Sequence, residues 1–316
     1  MIVYAFRRLL ALLPTIVVPM VLLFVLLRLA PGGPAAALLG DDATPEQIAV
    51  LQQRLGLDEP LWRQFGDFFA GLVRLDFGDS LFLHSSVTGL VLDRLVVTAT
   101  FVTLSMMLAL VTGVAGARVA SRFHNRLPDR LLVGLAVVGN AIPSFWLAVM
   151  LVGIFAVQLG WLPVAGYAPP SNPAAWARHL VLPVVCLGVL QGAQLFRYAR
   201  TAMLDSMHQP FVATARSLGL PEKTIHSRYV TRMTLVPVVT VFGLSLGTLL
   251  GGAVILETVF SLPGLGQLLL TAVQRRDYPL IQGCAFFIAV IMVLANLAVD
   301  LFYAYADPRI RYGKAE

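Results

Sequence analysis

The stretch VATARSLGLPEKT, residues 212–224, lies between two long apolar runs and is built for water. A helical pattern runs to Leu218. Gly219 is placed to take the left-handed conformation that closes a helix, and Leu220 to fold back on the last turn. Pro221 and Glu222 suit the first turn of a second helix, the proline through its fixed φ and the glutamate through the helix dipole. Two short helices at an angle therefore project from the membrane. Their apolar residues Phe211, Val212, Leu218, Leu220 and Ile225 have no lipid to enter, so the segment reads as a knob on which a partner docks. The plainer reading of the same residues is a capped hairpin that only connects two spans.

The surroundings of that stretch are mostly oil. Of 316 residues, 58% are hydrophobic and only 13% charged, with a mean hydropathy of +0.81. Soluble domains carry about 25% charged residues, so most of this chain belongs in lipid. The formal charge of +6 does not point to nucleic acid, because the basic residues lie beside apolar segments, where Lys and Arg set topology. Cys186 and Cys284 both fall inside apolar runs, which argues against a disulfide framework or a metal site. The first apolar run, residues 9–27, has spanning length. Arg28 and Pro31 follow it in place of a small-residue cleavage site, so it reads as a retained span and not a signal peptide.

Six candidate spans follow, at about 9–30, 96–117, 131–159, 180–197, 234–256 and 281–305, each at or near the ~20 residues that cross the hydrocarbon. With the N-terminus inside, the inner segments hold 15 of the 23 basic residues, among them Arg118, Arg122, Arg126, Arg130, Arg200 and Lys223. Both termini are therefore expected to be cytoplasmic. The chain divides into an N-terminal span (1–30), an external helical loop (31–95), a five-helix transmembrane core (96–305) and a cytoplasmic tail (306–316). The inner loop at 198–233 is the longest and contains the opening stretch.

In the outer loop, Thr44-Pro45-Glu46-Gln47 reads as a capping box with proline at the first helical position, and Gly56 as the end of that helix. A second helix after Pro60 carries Leu61, Phe65, Phe68, Phe69 and Leu72 on one face. That face either folds against the bundle or covers helix ends. Gly243, Gly247 and Gly251 repeat every four residues, a spacing that lets another helix, in this chain or another, approach closely. Pro143 is expected to kink the third span, with Asn140 satisfied beside it.

Several chemistries are absent from the sequence. There is no phosphate-binding G-x-x-x-x-G-K-[ST], no H-E-x-x-H and no G-x-S-x-G. Ionisable groups in the spans are few, Glu257 and Asp300 near their ends, whereas a proton- or sodium-coupled carrier keeps such groups near the midplane. No catalytic residue and no metal ligand set is expected.

The opening segment also resembles the cytoplasmic coupling loop of ABC-importer permeases, written E-A-A-x-x-x-G with a later proline. Here it reads Ala213-Thr214-Ala215, then Gly219, then Pro237. The leading acid is replaced by Ala213. The 18 positions from Gly219 to Pro237 match the longer spacing of the dipeptide/oligopeptide/nickel branch. The resemblance covers almost the whole chain: RRLLALLPTIVV (7–18), LLRLAPGGPA (26–35), LGLDEPLWRQFGDFFAGLVRLDFGDSL (55–81), IPSFWLA (142–148), GWLPVAGY (160–167), ETVFSLPGLGQLL (257–269), RRDYPLIQG (275–283) and NLAVDLFYAYADPRIRYG (296–313).

The resemblance implies an all-α membrane protein with six transmembrane helices and the type I ABC-importer permease fold, in the bacterial inner membrane. It implies a second homologous permease, two cytoplasmic ATPase subunits that bind ATP and magnesium, and an external substrate-binding protein. Carried onto this chain, it makes Ala213, Ala215, Gly219, Leu220 and Pro221 the ATPase-docking residues. Short peptides are the expected substrate, with nickel or a metal chelate as the alternative. A stand-alone secondary carrier is the alternative of another class.

Overall fold

A computed structural model of the chain describes residues 2–29, 44–54 and 58–306. Gly56 and the tail beyond 306 lie outside the described residues. The described part is helical: α1 (Ile2–Leu29), α2 (Pro45–Arg54), α3 (Leu61–Arg74), α4 (Val87–Arg122), α5 (Leu127–Ala141), α6 (Ser144–Leu151), α7 (Pro173–Met207), α8 (Pro210–Ser217), α9 (Glu222–Thr224), α10 (Thr231–Val259), α11 (Leu265–Gln274) and α12 (Tyr278–Ala306). Two π-helical stretches, Val152–Gln158 and Ile225–Val230, extend α6 and lead into α10. Helices dominate because in lipid every backbone N–H and C=O must find its partner within the segment.

By length and apolarity, three described helical stretches can cross a membrane: Val87–Arg122, Pro173–Met207 and Tyr278–Ala298. A bent pair, Leu127–Ala141 with Ser144–Gln158, makes a fourth. The candidate spans at 9–30 and 234–256 fall on α1 and α10. The bend corrects the expectation of a kink. The two halves of the third span meet at 104°, which is a break. Ile142 (φ −82°, ψ 126°) and Pro143 (ψ 139°) are both extended. The proline ring disfavours helical geometry at Ile142 and removes a donor, so the ladder stops there. Asn140 donates to the Ala136 carbonyl at 2.8 Å, within its own helix.

The chain forms two compact units. The first comprises Met1–Thr98 and Pro263–Leu294. In it the capping box of α2 closes in both directions: the Thr44 N–H donates to Gln47 Oε1 at 3.1 Å and the Gln47 N–H to Thr44 Oγ1 at 3.3 Å. The aromatic face of α3 packs on α1, where Phe24 meets Phe65 at 5.2 Å and Phe68 at 5.5 Å between ring centroids. Leu61 departs from that face and is exposed. The core gathers Val87 and Val91 with Leu265, Leu268, Leu280 and Cys284.

The same unit is clasped by a carboxylate that the sequence did not single out. Asp277 is fully buried and precedes α12. Its Oδ1 accepts from the Leu280 N–H at 3.2 Å, as a helix cap does. Its Oδ2 accepts from Ser80 Oγ at 2.6 Å and from the Phe82 N–H at 3.1 Å, tying down a loop almost two hundred positions away.

The second unit comprises Ala99–Leu262 and Ala295–Glu316. Helix α7 is its axis, packed by α5, α6 and α10. The close approach in this unit is between α4 and α7. A Cβ on Gly188 would lie 2.9 Å from Leu108 Cδ2 and 3.0 Å from the Ser105 carbonyl, and one on Gly192 would overlap Thr112 Oγ1. On α4, a Cβ at Gly113 would lie 3.0 Å from the Gly192 carbonyl oxygen. The glycines singled out on α10 present a different picture. Gly243 is buried, Gly247 half-buried and Gly251 exposed, and a Cβ on Gly251 would meet nothing within 4 Å.

Asp277→Ala is expected to destabilise the first unit by about 3 kcal/mol, because three donors lose their acceptor, and Ser80→Ala by about 1 kcal/mol. Equilibrium unfolding of the purified chain in detergent checks both. Equal effects of the two variants would contradict the clasp.

Candidate functional site

The opening stretch folds as a short hairpin at the end of α7. Helix α7 stops at Met207, Pro210 begins α8, and Gly219 closes it at φ +73°. The Leu220 N–H donates to the Ala215 carbonyl at 3.2 Å and the Gly219 N–H to the Arg216 carbonyl at 3.0 Å. This paired closure is a Schellman motif, and it depends on a residue that tolerates positive φ. Pro221 sits one position earlier than expected. It is the N-cap of α9, with φ −65° and ψ 140°, and its carbonyl accepts from the Thr224 N–H at 2.8 Å. A proline can hold this place because the N-cap contributes a carbonyl and no N–H to the helix.

One ion pair spans the turn. Arg216 Nε donates to Glu222 Oε1 at 2.6 Å, and the guanidinium holds the Glu222 carboxyl below its usual range. The pair is exposed and contributes about 0–1 kcal/mol.

The inner face of the hairpin is core. Val212, Ala215, Ile225 and Val230 are buried in a cluster with Ala117, Ala120, Phe196, Ala199 and Met203. This corrects two expectations. Val212 and Ile225 are not exposed; Leu218 is, at 74%. Ala215, read as a docking residue, is 5% exposed and faces inward. The helical period explains it, since positions 212 and 215 share a face three residues apart. Ala213, Gly219 and Pro221 are exposed and Leu220 is half-buried, so these four form the outward rim of the turn. Gly219 has open space where a Cβ would be. A partner surface can approach the backbone there.

Sequence reasoning also missed the brace behind the hairpin. Arg200 on α7 holds the buried Asp129 with two bonds, Nε to Oδ1 at 2.7 Å and Nη2 to Oδ2 at 2.8 Å. The Asn125 N–H donates to the same carboxylate at 2.9 Å. In the sequence alone Arg200 is one of many topology-setting cations. An acid in an otherwise basic inner segment was the available signal.

Comparison with known proteins bears on this arrangement. Residues 109–312 match the family described as "Binding-protein-dependent transport system inner membrane component", and residues 1–102 match its N-terminal companion. A putative peptide transport system permease of Brucella abortus (strain 2308) is 38% identical over 307 residues, 97% of this chain and 98% of that one. A dipeptide transport system permease of Alkalihalophilus pseudofirmus is 37% identical, covering 99% of this chain and 100% of its own. A glutathione transport system permease of Escherichia coli (strain K12) is 37% identical, covering 98% and 99%. Among solved structures, a methionine ABC transporter in inward-facing conformations aligns with a TM-score of 0.52 at 16% identity, over 69% of this chain and 96% of that one. That likeness concerns the fold alone.

Gly219→Val places a β-branched residue at positive φ, at a cost of about 1–2 kcal/mol. The closure of α8 should then fray, and the amides of Gly219 and Leu220 should lose roughly tenfold in hydrogen-exchange protection, about 1.4 kcal/mol. Unchanged protection would show that the turn is held by something other than Gly219.

Proposed function

The chain belongs to the family of inner membrane components of binding-protein-dependent transport systems, and from that premise we propose that it forms half of a translocation path for short peptides. As a member it is a multi-pass membrane protein and a transport component, with ATP hydrolysis in a separate subunit and substrate delivered by a binding protein. The peptide assignment is supported by full-length identity to relatives named for peptide, dipeptide and glutathione transport.

The proposed assembly has a second homologous permease, two ATPase subunits that bind ATP and magnesium, and one external binding protein. Both termini face the cytoplasm. The rim formed by Ala213, Gly219, Leu220 and Pro221 docks on an ATPase, and nucleotide-driven closure there is transmitted into α7 and α10. The observation that carries this reading is the hairpin itself: its inner face is fixed in the core while its outer rim is small, exposed and conformationally fixed. The Gly243, Gly247 and Gly251 face of α10 is proposed as a packing surface for another helix. The open space at Gly251 favours one outside this chain.

Single cysteines test the orientation. Ser217 and Ser171 are exposed, and the native Cys186 and Cys284 are buried and should stay silent. In intact cells an impermeant thiol reagent should label Ser171→Cys and spare Ser217→Cys. Labelling of position 217 from outside would end the ATPase-docking proposal. Ser121, facing the same side, is 1% exposed and would not report.

Uptake of labelled dipeptide and of radioactive nickel, compared with and without the whole operon, tests the substrate. Operon- and ATP-dependent dipeptide uptake is expected, and Gly219→Val should abolish most of it while the chain still inserts. Nickel uptake without peptide uptake would overturn the peptide assignment.

A further inference from the structure

In the second unit, the C-terminal end of α4, the loop after it and the π-helical stretch Ile225–Val230 enclose a cleft of about 690 Å³. Its walls carry Arg118, Arg122, Arg126, Lys223, His124 and His226. Among the described residues Glu222 is the one acid lining it, and that carboxylate is engaged by Arg216. Arg118 Nε donates to Thr231 Oγ1 at 3.3 Å. Arg122 and Arg126 have no carboxylate partner among the described residues, and neither does Lys223. His226 Nε2 is buried without a hydrogen bond. The His226 imidazole is held below its usual pKa by burial, opposed by Glu222 and reinforced by Arg122 and Arg118.

A concave wall of unpaired guanidinium groups suits a ligand with several anionic oxygens, because the planar fork binds two of them at once. The position of the cleft along α4 narrows the source. Residues 95–117 carry no charged side chain, and Arg118 is the first charge after Arg94. That length is enough to cross the hydrocarbon, so Arg118, Arg122 and Arg126 stand at the level of lipid phosphates. This depth rests on the reading of α4 as a membrane span. Val119 and Leu127, within the same stretch, are 43% and 69% exposed. Acyl chains can cover such residues, and a free anion cannot. Basic pockets between membrane helices bind anionic headgroups by this combination.

We propose that this cleft is a site for a phosphate-bearing anion, supplied by the headgroup of an anionic phospholipid.

The test uses the assembled importer purified from membranes and exchanged into phosphatidylcholine with phosphatidylglycerol, with retained lipid counted by native mass spectrometry. Arg122→Gln with Arg126→Gln should lower phosphatidylglycerol retention by roughly fivefold for each arginine removed. Arg122→Lys with Arg126→Lys should keep most of it. Arg63→Gln with Arg74→Gln, the same charge change in the other unit, should leave it unaltered. Millimolar inorganic phosphate should not displace the lipid.

Equal retention in the two glutamine pairs would overturn the site. Displacement by inorganic phosphate would overturn the lipid source and give the cleft to a soluble anion. Loss of ATPase subunits from the Arg122/Arg126 pair with lipid retained would overturn it in favour of a protein partner. ATP-driven uptake by the unaltered importer, measured alongside, reports on the permease reading separately from all three.

Discussion

A Cβ at Gly188 would press on Leu108 and the Ser105 carbonyl, and one at Gly192 on the Thr112 hydroxyl, so α4 groups would have to shift to admit a side chain. The second unit depends on that constraint. In lipid there is no hydrophobic gain from bringing two apolar helices together, so association rests on backbone proximity and van der Waals packing. Gly113 on α4 completes the contact from the other side. With α4 and α7 held at this spacing, Ala117, Ala120 and Ala199 are left with Met203 as a buried platform at the end of the pair. The hairpin of α8 and α9 rests on that platform through Val212, Ala215 and Ile225. A turn proposed to receive force from a partner has to be fixed at its base, and here the base is the helix pair.

Polar groups provide the corresponding fixation at the helix ends. Asp277 caps α12 while holding the Ser80–Phe82 loop, and Asp129 anchors the start of α5 to Arg200 on α7. Each carboxylate is almost fully buried, at 0% and 2% exposure. Burying a charge is costly unless its acceptor sites are filled, and in both cases several donors converge on one group.

Features with a local cause were legible in the sequence. The capping box at Thr44 and Gln47, the closure at Gly219 and the satisfied Asn140 all follow from side chains acting within one turn of themselves. The helix of Phe65, Phe68 and Phe69 was legible as an apolar face, and only its partner, Phe24, needed the fold. What was not legible involved choices between distant candidates. Glycines occur on α4, α7 and α10 alike, and Gly188 and Gly192 on α7 share the four-residue spacing of Gly243, Gly247 and Gly251 on α10, so spacing alone does not tell which set makes the contact. The same held for the rim of the turn: composition marked Ala213 and Ala215 as equivalent, but the helical period turns one outward and the other inward.

The π-helical stretch Ile225–Val230 gives the hairpin a phase as well as a position. A π segment accommodates about one extra residue in an α-helical path. The run from Glu222 to Val259 is otherwise continuous helix. Because the wide turn absorbs that extra residue, removing a single residue within 225–230 would let the run wind as an ordinary α-helix and leave the Gly219 turn at nearly the same angle around the axis of α10. The aim of the rim is thus buffered against a one-residue loss within those six positions, whereas the same loss within Thr231–Val259 would turn the rim by about 100°.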